Sequence, residues 1–195
     1  MRRKYNLPNR FLLYLGGFDV RKNLTGLLRA YAQIVRSGDS DEYALVVAGG
    51  LPRIDGEFRP DPRRIARQMG IEEWVWFPGW IDEEDKAALY SAATAFVFPS
   101  RFEGFGLPVL EAMSCGTPVI VSRSTSLPEI VGGAGFLVSP TETTELAAAM
   151  QWLWQDADQQ QRLGREALAR SREFSWEKAA QETAAAYSAA IRQAV

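Results

Sequence analysis

Pro99-Ser100-Arg101-Phe102-Glu103-Gly104-Phe105-Gly106-Leu107-Pro108-Val109-Leu110-Glu111-Ala112 connects an apolar run, Ala95–Phe98, to a helical pattern that stops at Gly116. A second apolar run, Pro118–Val121, follows directly. Run, glycine loop, helix and run in this order describe a βαβ unit with two parallel strands. Pro108 suits the first helical turn, where its missing N–H costs nothing. Gly116 suits the residue just past the last turn, where a left-handed backbone is wanted.

The same alternation extends in both directions. Phe11–Leu15, Ala44–Ala48 and Val75–Phe77 read as further strands, with a weaker one at Gly135–Val138. Their hydrophobicity is continuous rather than alternating, which predicts strands covered on both faces. The intervening segments predict helices from Asn23 to Val35, over Pro62–Met69 ending at Gly70, and from Glu83 to Ala92 behind Asp82. Leu24, Leu27, Leu28 and Tyr31 form the apolar stripe of the first, and Asn23 and Asp82 are the expected N-caps. Three more helices are expected near Thr141–Gln155, Asp158–Phe174 and Trp176–Ala194, the last capped by Ser175. Gly49–Pro60 carries glycine, proline and charge without periodicity and reads as a surface loop. The expected fold is therefore α/β: a Rossmann-like parallel sheet of about six strands flanked by helices, with a helical C-terminal segment. Residues 1–195 read as a single domain, for nothing resembles an interdomain linker.

Bulk composition narrows the function. The chain has 195 residues, 47% of them hydrophobic and 24% charged, as ordinary soluble domains do. A formal charge of −2 argues against a nucleic-acid binder, which would carry a basic face. Cys115 is the only cysteine and there is no histidine, so a zinc site of the usual ligand types is not expected. A lone cysteine also suits a reducing, cytoplasmic setting. The apolar stretch Phe11–Leu15 is too short for a membrane span, and no direct membrane insertion is expected.

In a parallel sheet, ligands collect at the carboxyl ends of strands, near helix N-termini. Three segments occupy such positions. Gly16-Gly17-Phe18-Asp19-Val20-Arg21-Lys22-Asn23 follows the first strand. It reads either as a diphosphate cradle of glycine amides, helix dipole and cation, or as a tight turn with two solvated basic residues. It is not the G-x-G-x-x-G fingerprint, which disfavours a nicotinamide oxidoreductase. In the second segment, Gly104 and Gly106 would expose backbone donors at the start of the Leu107 helix. Glu103 and Glu111 lie eight residues apart, roughly 12 Å along an ideal helix. That exceeds the ~5–9.5 Å between glycosidase carboxylates. Contacts to separate hydroxyl-bearing parts of one ligand fit better than shared proton transfer. The plainer alternative has Glu103 assisting the helix dipole and Glu111 exposed. The third segment, Phe77-Pro78-Gly79-Trp80-Ile81, is either an apolar slot for a nucleobase or ordinary core and edge packing.

These residues resemble the retaining GT-B glycosyltransferases of family 4 (group 1), in particular their mannosyltransferase-like branch. The resemblance begins with Leu13-Tyr14-Leu15-Gly16 and Arg21-Lys22-Asn23-Leu24, and runs through Phe77-Pro78-Gly79 and Leu89-Tyr90. It is densest over Phe98–Ser122, where Glu103 and Glu111 form the family's E-x7-E signature, and reaches Leu127-Pro128-Glu129 and Phe174-Ser175-Trp176-Glu177. It implies a polysaccharide-building enzyme that binds a nucleoside-diphosphate sugar, GDP-mannose or a UDP-sugar, and transfers the sugar with retention. Lys22 would contact the diphosphate, aided by Arg21, with Gly16 and Gly17 at the same turn. Glu103 would hold the transferred sugar, Gly104, Phe105, Gly106 and Leu107 would give backbone contacts, and Glu111 would bind the ribose. Trp80 and Ile81 would lie near the base. Lys22 and Glu103 would be the catalytic groups, and no metal or cofactor is expected. The family often carries an arginine where this chain has Gly17, so one phosphate contact is missing, with Arg21 or Arg101 as substitutes. The resemblance covers one half of a GT-B fold. It implies a partner N-terminal domain, supplied in cis or in trans, that holds the acceptor and any membrane attachment. It also leaves a non-catalytic nucleotide-sugar-binding module as the alternative function.

Overall fold

In the computed structural model, which describes residues 1–38 and 44–193, the apolar runs become one parallel sheet. Its strands are β1 (Leu12–Leu15), β2 (Leu45–Ala48), β3 (Val75–Gly79), β4 (Ala95–Phe98), β5 (Val119–Ser122) and β6 (Phe136–Val138). They lie in the order β3-β2-β1-β4-β5-β6, with every pair parallel. The helices are α1 (Leu24–Arg36), α2 (Pro62–Met69), α3 (Glu83–Ala92), α4 (Leu107–Ser114), α5 (Leu127–Val131), α6 (Thr143–Gln155), α7 (Ala157–Ser171) and α8 (Trp176–Gln193).

All residues of β1, β2, β4 and β5 are buried, as continuous hydrophobicity requires of strands covered on two faces. Helix α1 packs against α2 and α6, while α4 packs against α3, α5 and α7, giving one helical layer per face. The α1 stripe of Leu24, Leu27, Leu28 and Tyr31 is buried as expected. Among the described residues, 49–60 form no helix or strand, matching the predicted loop.

Helix boundaries follow the punctuation, but two caps differ from expectation. Asp61 accepts from Arg63 N–H ahead of Pro62, and Gly70 closes α2 in the left-handed region. Ser175 Oγ accepts from the Lys178 N–H at 3.1 Å, as a cap should. Asp82 makes no capping bond; its carboxylate is taken by Lys4 Nζ at 2.7 Å. The Tyr5 hydroxyl ties the N-terminal segment to the start of α3, accepting the Asp82 N–H at 3.0 Å and donating to the Asp85 carboxylate at 2.9 Å. Asn23 does not cap with its side chain either. It sits at φ 55° and turns its amide to the carbonyls of Pro99, at 3.1 Å, and Pro140, at 2.7 Å.

Helix α8 extends from the rest of the fold with Trp176, Tyr187 and Ile191 exposed. Its expected final residue, Ala194, lies outside the described residues.

The floor below the loops depends on one glycine. Gly49 has φ +140°, and a Cβ built there would stand 2.1 Å from the Gly16 carbonyl oxygen. Its N–H meanwhile donates to Gly79 O at 2.8 Å, so the ends of β1, β2 and β3 close on it. Gly49→Ala should cost about 2–4 kcal/mol through strain and overpacking. Thermal denaturation should show the melting temperature falling by roughly 5–15 °C. Gly56→Ala, where an added Cβ meets nothing within 4 Å, should stay within about 0.5 kcal/mol of the parent. Equal effects from the two would refute the close-approach account.

Candidate functional site

Strand order reverses between β1 and β4, so the loops after these two strands leave the sheet side by side and open a crevice. They are the two loops singled out in the sequence, Gly16–Asn23 and Pro99–Gly106. Arg101 N–H donates to Arg21 O at 2.7 Å and joins them directly.

On the first loop, a 3-10 turn over Val20–Lys22 begins at Asp19, whose carboxylate accepts from Arg21 N–H. Arg21 Nε also donates to that carboxylate, at 2.8 Å, and the Arg21 side chain stays exposed. Burial raises the Asp19 pKa, but the Arg21 guanidinium outweighs it and leaves the carboxyl below its ordinary value. Gly16 and Gly17 are half-buried and follow β1. Tyr14 donates its hydroxyl to Gly17 O. Burial, followed by the charges of Glu103 and Asp19, pushes this phenol far above its ordinary pKa, so it stays a donor.

Lys22 and Glu103 meet across the crevice. Lys22 Nζ lies 2.7 and 3.0 Å from the two Glu103 carboxylate oxygens, and 5.3 Å from the centroid of the Phe98 ring. Their side chains are 20% and 11% exposed. Glu103 therefore pairs with a cation, in place of the alternative in which it serves the α4 dipole alone.

The Glu103 loop is held by a segment that sequence reading did not single out. Glu103 N–H donates to Thr125 Oγ1 at 3.0 Å, with Thr125 at φ +50°. Ser126 Oγ donates to Glu103 O at 3.2 Å and to Phe105 O at 2.6 Å. Ser122 and Ser124 both donate to Ser100 O. Small polar residues at a strand end were a weak signal for this. Gly106, at φ +116°, leaves room for Leu127: a Cβ there would fall 2.7 Å from Leu127 Cδ2. Among the described residues, the N–H groups of Gly104, Phe105 and Gly106 donate to no protein acceptor. They lie at the positive end of the α4 dipole. Leu107 opens α4 with its side chain exposed, as are those of Phe102 and Phe105.

Glu111, one turn into α4, is half-buried rather than exposed, and its Oε2 accepts from the Tyr90 hydroxyl at 2.9 Å. The third segment divides. Trp80 is 70% exposed, whereas Ile81 is 2% exposed, so the Ile81 side chain belongs to the core. The carboxylate groups of Asp82, Glu84 and Asp85 approach within 4.8 Å of one another at the start of α3. Lys4 already binds two of them.

The family model for glycosyl transferases group 1 matches residues 1–170. The chain belongs to this family. It is 39% identical over 185 residues to the O-antigen chain mannosyltransferase B of Escherichia coli, covering 94% of this chain and 47% of that protein. Among solved structures, it superposes on sucrose-phosphate synthase from Thermosynechococcus elongatus with a TM-score of 0.82 and 34% identity, covering 98% of this chain and 48% of the other. It also shares its fold with the C-terminal domain of a group 1 glycosyl transferase from Francisella tularensis, at a TM-score of 0.74, 23% identity and coverage of 88% and 91%. The chain thus spans about half the length of the full-length relatives it matches. No helix among the described residues is long and apolar enough to cross a membrane.

Ser126→Ala removes both bonds to the loop carbonyls and should cost about 1 kcal/mol. Amide hydrogen exchange over residues 103–106 should quicken while β1 and β4 keep their protection. Unchanged exchange in that loop would show that Ser126 does not hold it.

Proposed function

We propose that this chain is the donor-binding half of a retaining glycosyltransferase that moves a hexose from a nucleoside-diphosphate sugar. The observation that carries the reading is the Lys22–Glu103 pair facing the unpaired amides of Gly104–Gly106 at the switch point. A diphosphate offers those amides the acceptor they lack, and offers Lys22 a second anion beside Glu103. A sugar beside it offers hydroxyl donors to Glu103. Lys22 then moves from sharing the Glu103 carboxylate to bridging carboxylate and phosphate, and the leaving charge is stabilised by groups already in position. The charge offset is assigned to Lys22 and the α4 amides without a metal.

Glu111 takes the ribose hydroxyls through its oxygen not engaged by Tyr90, and Trp80 offers an exposed indole face to the base. Gly16, Gly17 and the Ile81 backbone border the same ligand. Mannose from a GDP donor is the favoured substrate, on the strength of the similarity to a mannosyltransferase; the crevice chemistry suits a UDP-sugar equally. The acceptor belongs to a partner GT-B domain, in cis or in trans, and the setting is cytoplasmic. A second reading is a binding module that holds the nucleotide sugar without turning it over.

Isothermal titration with GDP, GDP-mannose, UDP and UDP-glucose tests the reading. At least one should bind, and transfer should be absent or very slow without a partner domain. Flat traces for all four from folded protein would remove the proposal. Lys22→Ala should weaken diphosphates about 10–100-fold, the worth of one charged hydrogen bond, and leave nucleosides nearly unchanged. Equal losses for both would take Lys22 out of the phosphate site.

A further inference from the structure

Glu111 lacks the kind of partner that fixes most half-buried carboxylates. Among the described residues, no lysine or arginine forms an ion pair with it, and the Tyr90 hydroxyl is the one side-chain donor to its carboxylate. That bond reaches Oε2, so Oε1 is left without a protein donor. Tyr90 is itself firmly placed. It is 1% exposed, meets the Phe96 ring edge-on at 5.3 Å between centroids, and its carbonyl accepts from Thr117 Oγ1 at 2.8 Å. A rigid donor on one oxygen of a carboxylate selects its rotamer and leaves the other oxygen aimed and unsatisfied.

We propose that Tyr90 is a positioning residue for ribose recognition: its hydroxyl occupies Glu111 Oε2 and presents Oε1 to the hydroxyls of the nucleotide. This rests on the ribose role given to Glu111 above. Burial, then the Glu111 charge, raises the Tyr90 phenol far above its ordinary pKa. The O–H therefore remains a donor, and never a second anion beside Glu111, through the neutral range. Orientation set before binding lowers the cost of ordering a flexible side chain around its ligand. The ring's packing is separable from this role, since Phe96 and Thr117 contact the ring and the backbone while only the oxygen reaches Glu111.

Tyr90→Phe keeps the ring and removes the oxygen. GDP and UDP would each be titrated against their 2′,3′-dideoxy analogues, using the parent chain, Tyr90→Phe, Glu111→Ala and the double variant, with melting temperatures as a check on folding. Tyr90→Phe should weaken the ribonucleotides about 3–15-fold and leave the dideoxy analogues unchanged. Glu111→Ala should abolish the preference for ribose, and adding Tyr90→Phe to it should cost nothing more. If Tyr90→Phe weakens both sugar types equally, the tyrosine acts through general packing and the proposal falls. If Glu111→Ala lowers the ribose preference while Tyr90→Phe does not, Glu111 keeps its role and Tyr90 loses its own. If Glu111→Ala leaves the preference intact, the ribose reading fails and the positioning role with it.

Discussion

The contact between Lys22 and Glu103 spans 81 positions of chain and exists only because the strand order turns back between β1 and β4. In an arrangement that separated β1 from β4, the two loops would leave the sheet apart. The pair is mostly shielded from water, so it contributes less to stability than its short distances suggest, because desolvation opposes the Coulomb attraction. Its value is positional. It holds a cation and a carboxylate at one point, next to amide donors that no protein group has claimed.

Such a site requires loops that do not relax around their own charges. Three supports hold the two loops. Asn23 binds carbonyls of the β4 loop and of Pro140; Thr125 and Ser126 hold the backbone on either side of Gly104; Gly49 lets β1 and β2 end in contact beneath. Each uses a residue whose backbone conformation or size is special: Asn23 and Thr125 at positive φ, and Gly49 where no Cβ fits. The strain these positions carry is offset by the buried sheet below them, where the core is continuous.

The strands and most helix limits were legible because each depends on local chemistry. Leu45–Ala48 is apolar throughout, and Pro108 and Gly116 bracket α4 whatever surrounds them. The two glycine loops were legible as loops for a related reason, since glycines between a strand and a helix mark a turn, although a turn alone does not say what it binds. What escaped depends on distant partners. Asp82 has the chemistry of a cap, but Lys4, 78 residues earlier, draws its carboxylate away. Ile81 and Trp80 are adjacent and both apolar, and only the path of the chain into α3 decides that one is core and the other exposed. Helix α5 has five residues, too few for any periodic signal. Thr125 and Ser126 look like loop filler until the Glu103 backbone is placed beside them.

Solvent decides how far these groups can go toward chemistry. Fixed charges and dipoles stabilise a developing charge strongly where water is excluded, and only weakly where it competes. On the site loops and on neighbouring segments of the chain, Val20, Phe58, Trp80, Phe102, Phe105 and Leu107 are exposed apolar side chains. Water now covers them, and another apolar surface laid against them would exclude it. On the proposed reading, the crevice alone has the donors to recognise a diphosphate, since recognition tolerates a wet edge. Transfer asks for more: Lys22 and the Gly104–Gly106 amides must act on the leaving charge in a medium of low polarity. Covering these side chains would supply that medium. Binding and turnover then become separable properties of one site, divided by whether its apolar border is covered.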